Sequence, residues 1–270
     1  MAMSLCIKVF CIVFKNRSRR ENAGMFWNQS RENIWIVGHR GVRALLPENT
    51  MISFQKALDL GINGIETDVH MTRDGQLVLH HDDTLERTTN GSGRIENYSY
   101  EELRVLDAGI KFSTEYAGQH IPRMEELLER IEDPAFFLNV EMKDYRPEAL
   151  DKTIRLLEKK GFHDRYVIAC FNGDVTTLAH EKYGVKTQGF PLHMVKNLKE
   201  DTELHYYASG IGMGDLNRNL TEEYDKKGID PWCWCPDTEE EVLRALDAGV
   251  TLMTVNNPYP ALKVLKREGK

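Results

Sequence analysis

Short β-branched apolar runs alternate along this chain with polar stretches whose apolar residues recur at helical spacing. Ile34-Trp35-Ile36-Val37 is the first such run, and it opens into Gly38-His39-Arg40-Gly41, a strand that leaves through a loop of functional groups. Phe54, Ala57, Leu58 and Leu60 then repeat as one helix face. Asn49 or Thr50, in Pro47-Glu48-Asn49-Thr50, can cap that helix, and Gly61 stops it. Two apolar runs follow on either side of Asp74-Gly75, a pair that supplies the φ > 0 positions of a two-residue hairpin turn. With that turn Arg73 sits opposite Gln76 and His81 opposite Asp68. Strand alternation then puts Glu66, Asp68 and His81 on one face, with Thr67, Val69, Val78 and His80 on the other.

Residues 83–119 break the pattern. They carry turn signals at Asn90-Gly91 and Ser92-Gly93, one capped short helix at Ser99-x-x-Glu102, and little apolar mass. A loop of this length inside a compact domain reads as functional or as a small inserted lid. Beyond it the alternation is regular. Strands are expected at 136–142, 166–171, 185–190, 209–213, 232–235 and 252–255, and helices at 148–160, 174–183, 220–227, 239–248 and 260–267.

Strands alternating with amphipathic helices imply right-handed βαβ units and a parallel sheet. The runs starting at Ile34 and Gly64 bring the parallel strands to eight, with the arm 77–81 as an antiparallel extra on the second. The expected fold is therefore α/β, a (β/α)8 TIM barrel over residues 34–270 with segment 83–119 inserted after the second strand. A doubly wound open sheet is the fallback, without a Gly-rich dinucleotide fingerprint to support it. A barrel places active residues at the C-terminal strand ends. His39 and Arg40 end the first strand, Glu66 and Asp68 the second, Asn139, Glu141 and Lys143 the third, and Trp234 lies near the end of the seventh.

Composition narrows the class. A net charge of −7 over 270 residues leaves no basic footprint, so nucleic acid is not an expected partner. Five cysteines without secreted-domain spacing favour a reducing compartment, hence a cytoplasmic location, and no disulfide framework. Cys233-x-Cys235 lies in a strand-like run that sends its thiols to opposite sides, which argues against a zinc pair. No stretch approaches the roughly 18 consecutive apolar residues of a spanning helix. Residues 1–33 place a basic cluster (Lys15, Arg17, Arg19, Arg20) after a short apolar run, the reverse of a secretory signal. A poorly ordered extension is the favoured reading there, and peripheral contact with anionic headgroups the alternative.

Glu66, Asp68 and Glu141 supply three carboxylates to one cup. Without a cation they would repel and take up protons, so a hard divalent ion, Mg2+ or Ca2+, is expected; zinc prefers more nitrogen or sulfur. Lys143 shares the strand face of Glu141, either as a salt bridge to an acid or as a ligand contact. Arg40 offers a planar fork suited to phosphate. Cations around an acid-lined mouth are what phosphoryl chemistry requires. His39 and His81 come from different elements and can flank a ligand, one taking a proton and the other giving one. Trp234 is either core or a wall for an apolar or sugar-like moiety. His70 has the parity of Glu66 and Asp68; the other histidines read as surface or packing residues.

His39-Arg40-Gly41, Pro47-Glu48-Asn49-Thr50, Glu66-x-Asp68, Thr72-Arg73-Asp74-Gly75, His81-Asp82, Leu85-x-Arg87-Thr88-Thr89 and Glu141-x-Lys143 together resemble the glycerophosphodiester phosphodiesterase family in order and spacing. The resemblance spans residues 34–143 and continues more weakly to Pro258. It implies a TIM barrel with an insertion after the second strand, a divalent cation on Glu66, Asp68 and Glu141, acid–base roles for His39 and His81, and phosphate contacts from Arg40 and Lys143. The reaction implied is hydrolysis of a small-molecule glycerophosphodiester to glycerol 3-phosphate and an alcohol. A lysophospholipase D acting on lysophospholipids is the alternative. A phosphodiester-binding barrel without activity is disfavoured, because binding has no need of two proton carriers. Two departures stand out. Val255-Asn256-Asn257-Pro258 replaces a Thr-Asp pair, and Trp234-Cys235-Pro236-Asp237 replaces Trp-Thr-Val-Asn. Nothing in the sequence sets the oligomeric state.

Overall fold

The computed structural model describes residues 33–267; the expectations for the extension over residues 1–33 therefore fall almost wholly outside the described residues. Strand β1 is Trp35–His39, β2 Gly64–Met71, β4 Phe137–Met142, β5 Tyr166–Ala169, β6 Thr187–Gly189, β7 Ala208–Gly212, β8 Asp230–Trp234 and β9 Leu252–Val255. Each pairs in parallel with the next, and β1 pairs with both β2 and β9. The sheet is thus a closed eight-stranded barrel, as the alternation predicted. Helices α1 (Met51–Asp59), α4 (Pro147–Lys159), α5 (Gly173–Tyr183), α6 (Arg218–Lys227) and α7 (Glu239–Ala248) lie between strands, and α8 (Pro258–Val264) follows the last one. Among the described residues no helix is long and apolar enough to cross a membrane.

Period-two alternation sorts each strand's side chains between the two faces. Ile36, Ile65, Leu138, Val140, Ile168, Ile211, Cys233 and Met253 join the buried layer with the helices. Trp35, Val37, Phe137, Val167, Ala208, Trp232 and Leu252 form a separate cluster of the opposite parity, which fills the lower interior. Phe137 meets Trp35 and Trp232 edge to face at 5.4 and 5.8 Å. Continuing the inward parity up the same strands reaches His39, Glu66, Asp68, Asn139, Glu141, Gln188, Trp234 and Thr254. The barrel is apolar at its N-terminal end and polar at its C-terminal mouth.

The hairpin differs from expectation. Strand β3 (Leu77–Leu79) pairs with β2 as Met71↔Leu77, His70↔Val78 and Val69↔Leu79. The register is one residue away from the expected one, so Asp68 lies beside His80, whose backbone N–H donates to the Asp68 carbonyl at 3.1 Å. The turn is a three-residue loop in which Gly75 has positive φ and Asp74 does not. Side-chain chemistry selects it: Thr72 Oγ1 accepts from the Gln76 backbone N–H at 2.9 Å and donates to Asp74. The other oxygen-bonding partner of Asp74 is the Tyr100 backbone N–H, at 3.1 Å. Alternation alone would now send His81 away from Asp68, but β3 ends at Leu79 and the chain turns.

Two further features escaped the pattern. Helix α3 (Met124–Arg130) starts after Arg123, which is none of the usual capping residues; Glu126 accepts from the Arg123 backbone N–H at 3.0 Å instead. The inserted segment, which includes helix α2 (Tyr100–Leu103), builds a small core of its own. Leu85, Ile95, Tyr100, Leu103, Ala108 and Ile121 close on Val78. Sparse apolar residues suffice for this small core, while Val105, Ile110 and Phe112 of the same segment stay exposed.

Candidate active site

The mouth of the barrel encloses a cavity of about 390 Å3 whose lining includes His39, Arg40, Glu66, His81, Glu141, Lys143 and Trp234. Asp68 lies fully buried beneath it. One ligand oxygen from each of Glu66, Asp68 and Glu141 falls within 4.8 Å of the others. Glu66 Oε1 and Asp68 Oδ1 are buried and accept no hydrogen bond, although Lys143 Nζ stands 3.3 Å from the second. An all-oxygen donor set with unused lone pairs fits a hard divalent cation. Burial first, then the charge of Asp68, pushes Glu66 well above the usual carboxylate range. Burial likewise raises Glu141. Burial acts in the same sense on Asp68, but Lys143 and Arg40 overcome it and hold that carboxyl low.

The first loop delivers its groups through an unusual backbone. Arg40 and Gly41 both have positive φ, 52° and 86°. A Cβ on Gly41 would lie 2.3 Å from Ser53 Oγ, and one on Gly38 would lie 2.1 Å from the Gly41 carbonyl oxygen. Only glycines let the loop fold back this tightly. The turn aims the Arg40 backbone N–H at Glu66 Oε2, at 2.9 Å. The Arg40 guanidinium approaches Asp68 Oδ2 at 3.3 Å and Glu48 Oε1 at 2.8 Å. Strain of this kind concentrates where a site over-determines it.

Thr50 is the N-cap of helix α1, but its side chain makes no capping bond; Thr50 Oγ1 donates to the Pro47 carbonyl at 2.6 Å. Asn49 serves the site instead, donating from Nδ2 to Asp68 Oδ2 at 2.9 Å and accepting from Thr67 Oγ1 at 2.8 Å. Lys143 pairs with Glu141 and stands 3.3 Å from Asp68 Oδ1. The salt bridge, one of the two readings given for it, is present.

His39 Nδ1 lies 2.6 Å from Asn256 Oδ1, and Nε2 lies 3.8 Å from Glu66 Oε2. Burial, with Arg40 adding to it, drops this ring to about 3, which keeps it neutral. His81 Nδ1 lies 2.6 Å from Asp82 Oδ1. Burial lowers His81 as well, against the pull of Asp68 and Asp82. Trp234 donates from Nε1 to the Gly210 carbonyl at 3.2 Å, and its ring stands at the cavity with Met213 and the stacked Phe171 and Phe190 rings, 3.5 Å apart. The third strand's Asn139 donates to Gln188 Oε1 at 2.7 Å across the interior. His70 is turned out of this cavity into a neighbouring one, and His80 is taken up by Asp82 and Thr88.

Single-residue reasoning missed the charges behind this front row. Arg87 forks between Glu48, at 2.7 and 2.9 Å, and Asp82, at 2.7 and 3.0 Å. That chain connects Arg40 to the residue that backs His81. Glu48 and Arg87 lie 39 positions apart in different loops, so no local spacing signals them. Burial works against the charge on Glu48, but Arg87 and Arg40 bring it down to about 2. A carboxyl depressed in the fold stabilises it above its unfolded value, and loses that contribution as pH falls toward 2. In Glu48→Gln the decline of urea-unfolding free energy between about pH 4.5 and 3 should therefore be shallower, by up to about 1.4 kcal/mol per pH unit. An unchanged slope would remove Glu48 from the acid response.

The two departures from the family pattern meet in space. Asp237 Oδ1 accepts the Asn256 backbone N–H at 2.7 Å, and its Oδ2 accepts from Asn256 Nδ2. Cys235 Sγ stands 3.3 Å from His39 Nδ1, while Cys233 is buried in the outer layer.

Comparison with known proteins places this architecture among relatives. The family model for the glycerophosphoryl diester phosphodiesterase family matches residues 39–259. A glycerophosphodiester phosphodiesterase of Caldanaerobacter subterraneus is 35% identical over 245 residues, covering 87% of this chain and 98% of its own. One from Bacillus altitudinis is 39% identical over 239 residues, with 85% and 97% covered. Among solved structures, an Oleispira antarctica phosphodiesterase in complex with the product sn-glycerol-3-phosphate superposes with a TM-score of 0.77 at 24% identity, covering 86% of this chain and 96% of that one.

Proposed function

The chain belongs to the glycerophosphoryl diester phosphodiesterase family and is a phosphoric diester hydrolase; from that premise we propose how its mouth residues divide the work. Glu66, Asp68 and Glu141 hold a divalent cation, Mg2+ or Ca2+, and His39 and His81 move the protons. The observation that carries this reading is the cluster of three carboxylates within 4.8 Å, two of whose buried oxygens lack any hydrogen bond. Bound there, the ion supplies fixed positive charge against the phosphoryl oxygens. Arg40 and Lys143, already in the cluster, add to that charge and orient the phosphate. His39 turns Nε2 toward the cavity and takes the proton of the nucleophile, which is a water or the substrate's own adjacent hydroxyl. His81, backed by the Asp82 carboxylate, gives a proton to the departing alcohol oxygen. With water as the nucleophile the phosphate leaves as sn-glycerol 3-phosphate; with the substrate's hydroxyl the departing alcohol leaves a cyclic phosphate, which a water then opens to the same product.

The test is enzyme-coupled detection of sn-glycerol 3-phosphate from a panel of choline, ethanolamine, inositol and glycerol diesters. Extensive dialysis against EDTA should stop turnover and one of Mg2+ or Ca2+ should restore it. Full activity after dialysis would remove the cation from the account. The stacked Phe171 and Phe190, with Met213 and Trp234, line one side of the same cavity with apolar surface, which favours lysophospholipid turnover as a second reading. A kcat/KM for lysophosphatidylcholine above that for glycerophosphocholine would select it.

A further inference from the structure

We propose that Asp237, acting through Asn256, is a positioning residue that fixes the tautomer of His39. The inference rests on the reading of His39 as the base, and follows from counting donors. A carboxylate only accepts, so the Asn256 edge facing Asp237 is its NH2. Asp237 is anchored for that task by the backbone N–H groups of Asn256, at 2.7 Å, and Asn257, at 3.2 Å. With its amide nitrogen committed, Asn256 turns only its oxygen to His39 Nδ1, at 2.6 Å. That nitrogen therefore carries the ring proton, and Nε2 faces the cavity and Glu66 with its lone pair free. Cys235 Sγ lies 3.3 Å from the same Nδ1, but a thiol both donates and accepts only weakly, so the closer amide oxygen decides. The amide orientation is thus set by a charge two groups removed from the cavity.

Asp237→Asn should reverse the chain. Its oxygen stays with the two backbone donors, and its new NH2 meets the NH2 of Asn256. Relief comes when Asn256 turns over and offers NH2 to His39, whose proton then moves to Nε2. Exchanging the two residues, Asp237→Asn with Asn256→Asp, restores an acceptor opposite Nδ1 and leaves every donor paired.

Two measurements decide it. Nitrogen-15 spectra of histidine-labelled protein at about pH 8, where the ring is neutral, should show His39 protonated at Nδ1. A proton on Nε2 in the unmodified protein overturns the proposal, whatever the variants do. In steady-state kinetics Asp237→Asn should lower kcat on the order of 10²-fold with little change in KM, and the exchanged pair should recover most of the loss. Unchanged kcat in Asp237→Asn, or an exchanged pair no better than that single variant, also overturns it. Failure of the base reading is distinguishable: His39→Ala would keep its turnover while the tautomer of the unmodified protein stayed as described.

Discussion

Asp68→Ala is expected to reduce turnover by on the order of 10³-fold or more, because the charge a bound cation places on the transition state is worth several kcal/mol, and about 4 kcal/mol is a factor of ~10³. Asp68 accepts from Asn49 at 2.9 Å and stands 3.3 Å from both Arg40 and Lys143, entirely out of solvent. Truncating it removes a proposed ligand oxygen and also takes from Arg40 and Lys143 one of the carboxylates each faces, leaving Glu48 and Glu141, so stability falls as well. Activity loss in the alanine variant alone would mix the two effects. Asp68→Asn separates them: it keeps the volume and one acceptor, so its melting temperature should stay nearer that of the parent while turnover still collapses. Calorimetric titration of Mg2+ and Ca2+ into both variants should show weakened binding. Chelator-sensitive turnover at parental level in either variant would refute the carboxylate site.

His81→Ala should depend on the leaving group. With an alkyl diester such as glycerophosphocholine the departing alkoxide needs a proton, and losing a general acid costs about 10²–10⁴-fold. With a p-nitrophenyl ester of glycerol 3-phosphate the departing oxygen is stable without one, so the same variant should lose less than about tenfold. His39→Ala, which removes the base, should be impaired to a similar extent on both substrates. Asp82 accepts at His81 Nδ1 and is itself held by Arg87, so Asp82→Asn should show a milder form of the His81 pattern. Equal losses on both esters in His81→Ala would take the donor role away from it.

The difference between the two histidines illustrates how the site is put together. His39 is backed by an amide and His81 by a carboxylate, although nothing in the residues next to His39 announces this. Asp82 follows His81 directly, so that pair was legible as a motif. Asn256 and Asp237 are separated from each other by 19 positions and from His39 by far more, and only barrel closure of β9 onto β1 brings them together.

Local periodicity carried the barrel, because a strand with one face toward helices and one toward the interior must alternate, and a helix on its outside must repeat at its own period. The same parity marks Glu66, Asp68 and Glu141 as inward residues at strand ends. What it could not supply was register and reach. The hairpin loop was chosen by Thr72 and Asp74 bonding to partners across the turn, Asp74 to a backbone 26 residues away, and this moved His81 off the strand that was to present it. Glu48, Arg87, Asp237 and Asn256, behind the mouth, stand in sequence motifs, but which of them meet was decided by tertiary structure. Alternation reports which face a residue takes along its own strand; which charge meets which across the mouth depends on distances between loops that no sequence spacing encodes.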